Sequence, residues 1–139
     1  MRISIVIPTY NREKHLYNCL NSILDQKKLP FEVLVVDNAK HDKAKDTINL
    51  IKKKFDIKNI DIFFIKNNEN SGAIARNIGA FNSRGDLIAF LDDDVILDKN
   101  YYYEIEKVFL NNHMALGVQG YDTGTYQFEQ KMKNSFFNR

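Results

Sequence analysis

The 139-residue chain has a single cysteine, Cys19, so no internal disulfide framework holds it, and a reducing compartment suits it. It has two prolines: Pro8 ends one apolar run, and Pro30 prevents a helix from continuing. No apolar run approaches ~18 residues, which argues against a membrane-spanning helix. The start lacks a leader pattern, because Ile3–Ile7 is too short for a signal core and stops at Pro8. The expected location is therefore cytoplasmic. A net charge of +2 singles out no partner. There is no GxGxxG and no P-loop, so neither dinucleotide nor P-loop chemistry is indicated. Internal repeats and interdomain linkers are also absent.

What remains is one domain with 44% apolar residues, enough for a core. Ile3–Ile7, Glu32–Val36, Asp61–Ile65 and Leu87–Leu91 read as strands, the last buried on both faces. Between them, apolar residues recur at helical spacing. Leu16, Cys19, Leu20, Ile23 and Leu24 mark a helix from about Glu13 to Gln26, with Cys19 on its apolar face as core. Ala44, Ile48, Ile51 and Phe55 mark a second helix, whose Lys52-Lys53-Lys54 reads as a solvated face rather than a nucleic-acid site. A third spans Gly72–Asn82, with Ala75, Ile78 and either Phe81 or Ile74 facing inward. Asp98 is placed to cap a fourth, and Leu116–Gln119 reads as a short fifth strand. Fourfold alternation with short connections predicts a mostly parallel α/β sheet, Rossmann-like, with helices on both faces. Ligands of such sheets bind beyond the carboxyl ends of the strands. Pro8–Arg12, Asp37-Asn38 and Asp92–Asp94 all fall at such ends.

Asp92-Asp93-Asp94 is the strongest chemical signal. In extended chain Asp92 and Asp94 project to one side. At about 5 Å and an effective dielectric near 20, two such charges repel by roughly 3 kcal/mol. No Lys or Arg lies closer in sequence than Arg84 and Lys99. Two readings are open: a solvated strand-end turn, or a site for a hard divalent cation, Mg²⁺ or Mn²⁺. An EF-hand is excluded because Ile96, Leu97 and Tyr103 stand where ligands and a glycine are needed. His15 and Cys19 lack further partners for zinc.

Ile3–Arg12, Val35–Asn38, Gly72–Asn77 and Phe90–Asp94 together resemble the successive motifs of family-two glycosyltransferases of the GT-A fold, in order and spacing, over about Ile3 to Gly120. The resemblance implies a nucleotide-diphospho-sugar donor, with a UDP-sugar the first expectation, a Mn²⁺ or Mg²⁺ ion, and inversion at the anomeric carbon. By position, Pro8, Thr9 and Tyr10 would line the base and ribose pocket, and Asp37 would accept from the base edge. Arg76 would approach the base or phosphates. Asp92 and Asp94 would form a DxD-like motif, with Asp94 the leading metal ligand, Asp92 its companion, and Asp92 or Asp93 nearer the ribose. Each residue also has a plain structural reading. Tyr10 suits a turn, Asp37 an Asx-turn, Arg76 a solvated helix face, and Asn11, Arg12 and Asn38 suit turns and a helix start.

The family places its acceptor site and catalytic base after the DxD-like motif. Residues 1–120 are thus expected to form the donor-binding domain. Residues 121–139 are expected to be a tail, or the start of an acceptor half that is otherwise missing. Asp122 and Glu129 are the carboxylates available there, and neither is assigned as base. The expectations that follow are a chain truncated at its C-terminus, an exposed sheet edge or apolar patch, and a tendency to self-associate into a homo-oligomer. The basic, aromatic stretch Lys131–Arg139 is a candidate peripheral membrane contact, a frayed end being its plainer reading. The acceptor, whether glycan, lipid or protein, is not specified. The alternative to transfer is a catalytically silent module that binds a nucleotide sugar or a protein partner. A nucleotidyltransferase is disfavoured, because Pro8-Thr9-Tyr10-Asn11 replaces the glycine-rich basic loop that chemistry uses.

Overall fold

A computed structural model of the chain describes residues 1–123; Glu129 and Lys131–Arg139 lie outside the described residues. The elements are β1 (Ile3–Thr9), α1 (Glu13–Leu24), β2 (Glu32–Asp37), α2 (Lys43–Ile57), β3 (Asp61–Lys66), α3 (Gly72–Asn82), β4 (Leu87–Phe90) and α4 (Tyr101–Asn111). The strands pair in parallel in the order β3-β2-β1-β4. This is the expected α/β Rossmann-like architecture. No helix among the described residues is long and apolar enough to cross a membrane.

Period-two alternation divides the core into two layers. Ile3, Ile5 and Ile7 of β1, with Val33 and Val35 of β2, face Leu16, Cys19, Leu20 and Ile23 of α1 and Ile48, Ile51 and Phe55 of α2. Tyr102 of α4 closes the same layer. On the other face Val6, Leu34 and Val36 meet Ala75 and Ile78 of α3. The approach of α3 is close. A Cβ on Gly79 would lie 2.2 Å from Val6 Cγ1.

Five local expectations change. β4 is an edge strand, not one buried on both faces: Ile88 and Phe90 are 42% and 52% exposed, because α3 covers β1 and β2 instead. Among the described residues β3 and β4 are the two edge strands of the sheet. Pro8 does not end β1: it pairs with Val36, and the strand runs on to Thr9. Of the two residues left open on α3, Phe81 turns outward at 91% exposure and Ile74 is half-buried, while Ala75 and Ile78 carry the α3 contact. Leu116–Gln119 is not a strand. Gly117 interrupts it, Leu116 is fully exposed, and among the described residues the sheet has four strands. Asp98 does not cap α4, which starts at Tyr101; its Oδ1 accepts from Asn100 N–H at 2.8 Å, an Asx turn one step ahead of the helix.

At the amino ends of the strands, Glu32 is fully buried yet ionised. Its Oε1 accepts from Ser4 Oγ and from Arg84 N–H, both at 2.6 Å, and Oε2 accepts from Arg84 Nε at 2.8 Å. The guanidinium continues to Asp61 at 2.7 Å and lies over the Phe31 and Phe63 rings. Burial alone would push this carboxyl up; the Ser4 hydroxyl and the two Arg84 donors outweigh it and hold it below its ordinary 4.5.

Two tests follow from this packing. Gly79→Ala gains about 1 kcal/mol of helix propensity but meets Val6, and the clash wins. Urea melts should show a net loss of about 1–3 kcal/mol, and a stabilised variant would contradict the close α3–β1 contact. Because the folded-state carboxyl of Glu32 titrates below the unfolded one, its stabilisation is complete above the unfolded value and is lost as pH falls through the folded one. Glu32→Gln should therefore be less stable than wild type at pH 7 and lose less between pH 7 and pH 3. Parallel pH profiles would contradict the assignment.

Candidate functional site

Between β1 and β4 the strand order reverses direction, since β2 and β3 lie on one side of β1 and β4 on the other. A crevice opens at the carboxyl edge of such a switch point. Here it is a cleft of about 320 Å³, lined by Pro8, Thr9, Tyr10 and Arg12, by Asn38, by Asn70, Gly72 and Arg76, and by Asp92, Asp93 and Asp94.

Each segment is held by local chemistry. After Thr9 the chain turns through Asn11 at φ 51°, a left-handed conformation that asparagine tolerates better than most residues. The turn delivers Arg12 to the head of α1. Asn38 N–H donates to the Thr9 carbonyl at 2.9 Å, and Asn67 Nδ2 donates to Asn38 Oδ1 at 2.6 Å. The loops after β1, β2 and β3 are thereby laced together. Ser71 caps α3 by accepting from Ile74 N–H. Gly72 leaves room for a neighbour: a Cβ there would meet Arg76 Nη1 at 3.3 Å.

The acids are not in extended chain. β4 ends at Phe90, and Val95 N–H donates to the Asp92 carbonyl at 3.3 Å, closing a turn. The three carboxylates diverge. Asp92 Oδ1 accepts from Arg76 Nη2 at 2.5 Å. Asp94 Oδ2 accepts from Arg12 Nη1 at 3.0 Å, and the same nitrogen reaches Asp93 Oδ1 at 3.4 Å. Asp93 is 5% exposed, and its Oδ2 accepts from Thr9 Oγ1 at 2.7 Å. The repulsion expected from sequence is therefore offset by two arginines that are remote in the chain. Among the described residues, no three His, Cys, Asp or Glu side chains form a ready-made metal cage. The outward Asp92 and Asp94 still present hard oxygen donors to the cleft.

Of the residues singled out by sequence, Pro8, Thr9, Tyr10, Arg76, Asp92, Asp93 and Asp94 meet in this cleft. Asp37 does not line it. It is 1% exposed, its Oδ1 accepts from Ala39 N–H at 2.9 Å in an Asx turn, and its Oδ2 accepts from Lys66 Nζ at 3.3 Å. Arg12, Asn38 and Asn70 were not among the expected ligands but do line the cleft. Their signal was position after a strand. Pairing Arg12 with the acids needed the β1–β4 adjacency, which no local pattern displays. Cys19 is core, as expected: it is fully buried beneath the acid turn, with Sγ 3.7 Å from the Asp92 carbonyl. Burial first, then Asp93, Asp94 and Asp92, push its thiol up to about 12, so it is no nucleophile.

Known proteins are similar to this chain in sequence and in fold. The chain is 34% identical over 114 residues to an uncharacterized glycosyltransferase of Haemophilus influenzae, covering 82% of this chain and 44% of that protein. A crystal structure of Staphylococcus aureus TarS, residues 1–349, superposes with a TM-score of 0.70 at 24% identity, over 88% of this chain and 39% of that one. The mannosyltransferase PcManGT of Pyrobaculum calidifontis, solved with GDP-Man and Mn²⁺, superposes with a TM-score of 0.69 at 21% identity, over 78% of this chain and 32% of that one. The chain thus spans less than half the length of each of these proteins. These structures share the fold, a GT-A sheet. The Glycosyl transferase family 2 profile matches residues 4–139, and the chain belongs to that family.

Proposed function

We propose that the cleft binds the nucleotide diphosphate of a sugar donor, with a UDP-sugar the first choice, and that the chain serves transfer of that sugar to an acceptor with inversion. One observation carries this reading: two exposed carboxylates, two arginines and the N-terminus of α3 converge in one cleft at the sheet's switch point. Neighbouring structures add support. TarS has been solved with UDP and with UDP-GlcNAc, and PcManGT with GDP-Man and Mn²⁺.

Asp94 and Asp92 fit a Mn²⁺ or Mg²⁺ ion by donor chemistry. Ions of this class bind next to nucleotides through one or two carboxylates, with phosphate and water oxygens completing the shell. When bound, such an ion neutralises charge developing on the departing diphosphate. The protein's own groups have separate tasks. Thr9 fixes Asp93 and so holds the turn in place. Arg12 and Arg76 are each about half exposed, so they can exchange carboxylate for phosphate oxygens without a change of fold. The exposed Tyr10 ring offers a stacking face for the base. A base-edge role for Asp37 requires the base donor to replace Lys66 at Oδ2. No residue is assigned as the base that deprotonates the acceptor.

Titration of UDP, GDP and their sugars by calorimetry, with and without Mn²⁺, tests this directly. Metal-dependent binding of one nucleotide is expected, and no binding of any would contradict the reading. Donor hydrolysis separates transfer from silent binding: saturable binding with no turnover would contradict transfer. Asp94→Ala should abolish the metal dependence. Arg12→Gln should act with opposite signs. Without its guanidinium, Mn²⁺ alone should bind about two- to fivefold tighter, the equivalent of one exposed ion pair, while the nucleotide diphosphate binds more weakly. Weakening of both would contradict the exchange.

A further inference from the structure

Helix α2 has two sides of different chemistry. Ala44, Thr47, Ile48, Ile51 and Phe55 are buried. The outward side carries five lysines against two aspartates. Among the described residues the lysines that form ion pairs are Lys28, Lys66 and Lys107, none of them on α2. Two aliphatic side chains stand out from this basic field: Leu50 is 78% exposed and Ile57 is 72% exposed. Seven residues apart, they fall two turns along one stripe, with Lys53 and Lys54 between them. Lys54 is steadied at the surface, 3.1 Å from Asn21 Oδ1 and 6.0 Å above the half-exposed Tyr17 ring, so the patch continues onto α1.

A merely solvated lysine face gains nothing from two projecting aliphatics. A single-stranded nucleic acid would use the lysines, but Leu50 and Ile57 give its bases no ring to stack on. Cations that attract at long range, together with aliphatics that enter the acyl boundary, match an anionic bilayer surface. Lysine stems can lie along that boundary while their ammonium groups stay at the headgroups. We propose that α2 docks the protein on an anionic membrane surface, with Leu50 and Ile57 inserted and the lysines at the headgroups. The helix begins shortly after Asn38, which lines the cleft, so docking holds that rim of the cleft near the membrane. The proposal is independent of the donor reading.

Vesicle co-sedimentation of the full chain tests it. The protein should pellet with phosphatidylcholine vesicles containing phosphatidylserine, remain in solution with phosphatidylcholine alone, and be released as salt rises. Lys43→Gln/Lys45→Gln/Lys53→Gln should weaken binding by about fivefold per lysine. Leu50→Ser/Ile57→Ser should weaken it by about tenfold or more, with unchanged circular dichroism. These positions are exposed, and neither set touches the cleft. No preference for phosphatidylserine vesicles, or binding indifferent to both sets of changes, would overturn the proposal. So would tighter binding to a single-stranded RNA that depends on the lysines and ignores Leu50 and Ile57.

Discussion

The hydrogen bond from Thr9 Oγ1 to Asp93 Oδ2, 2.7 Å long and buried, fastens the end of β1 to the turn that follows β4. Parallel pairing brings the two within reach. Val6 sits opposite Phe90, and Leu91 N–H continues the ladder to the Val6 carbonyl. Once Asp93 is turned inward, Asp92 and Asp94 are turned outward on either side of it, toward Arg76 and Arg12. A buried carboxylate without its donor is strongly disfavoured, so this bond fixes the turn as well as decorating it. The location of the cleft and the spread of its charges both depend on it.

The two ends of the sheet use arginine and carboxylate in different ways. At the amino end Glu32 is fully enclosed, every oxygen is satisfied, and Arg84 is sandwiched against Phe31 and Phe63. The carboxylate itself is closed to solvent and held also by Ser4 and the Arg84 backbone, and the cluster's consequence is stability. At the carboxyl end Asp92 and Asp94 are exposed and each is met by one half-exposed arginine. Exposed pairs of this kind are worth little in water. They neutralise the acids while remaining replaceable, which suits a site that exchanges partners. Beneath them Cys19, with its thiol pushed up to about 12, is inert filling.

The fold was largely legible because its information is local. The alternation of Ile5, Val6 and Ile7 and the helical spacing of Leu16, Leu20 and Ile23 give four strand–helix units without knowledge of strand order, although Pro8 does not end β1, which pairs through it to Thr9. What strand order decides was hidden. Ile88 and Phe90 look like buried strand residues, yet β4 is at an edge and α3 covers β1 and β2 instead. Arg12 and Arg76 are 82 and 16 residues from their acids, so an apparently unpaired acidic run is in fact paired. Asp37 had two readings, and the structure shows the Asx turn, with Lys66 on the second oxygen. Leu116–Gln119 joins no strand, and Leu116 is fully exposed, so its apolar residues did not mark a buried element. The cleft was legible as a convergence of strand ends; its charge balance was not.

Paramagnetic broadening of backbone amide resonances by Mn²⁺, recorded with and without UDP, tests the central claim most directly. The ion should broaden residues of the Thr9–Arg12 and Asp92–Val95 segments. With UDP present, the effect should strengthen and extend to Asn70–Arg76, while amides near Glu32, Arg84 and Asp86 at the opposite end stay sharp. Broadening spread evenly over the surface, or centred at the amino ends of the strands, would contradict a cation and diphosphate site at the acid turn.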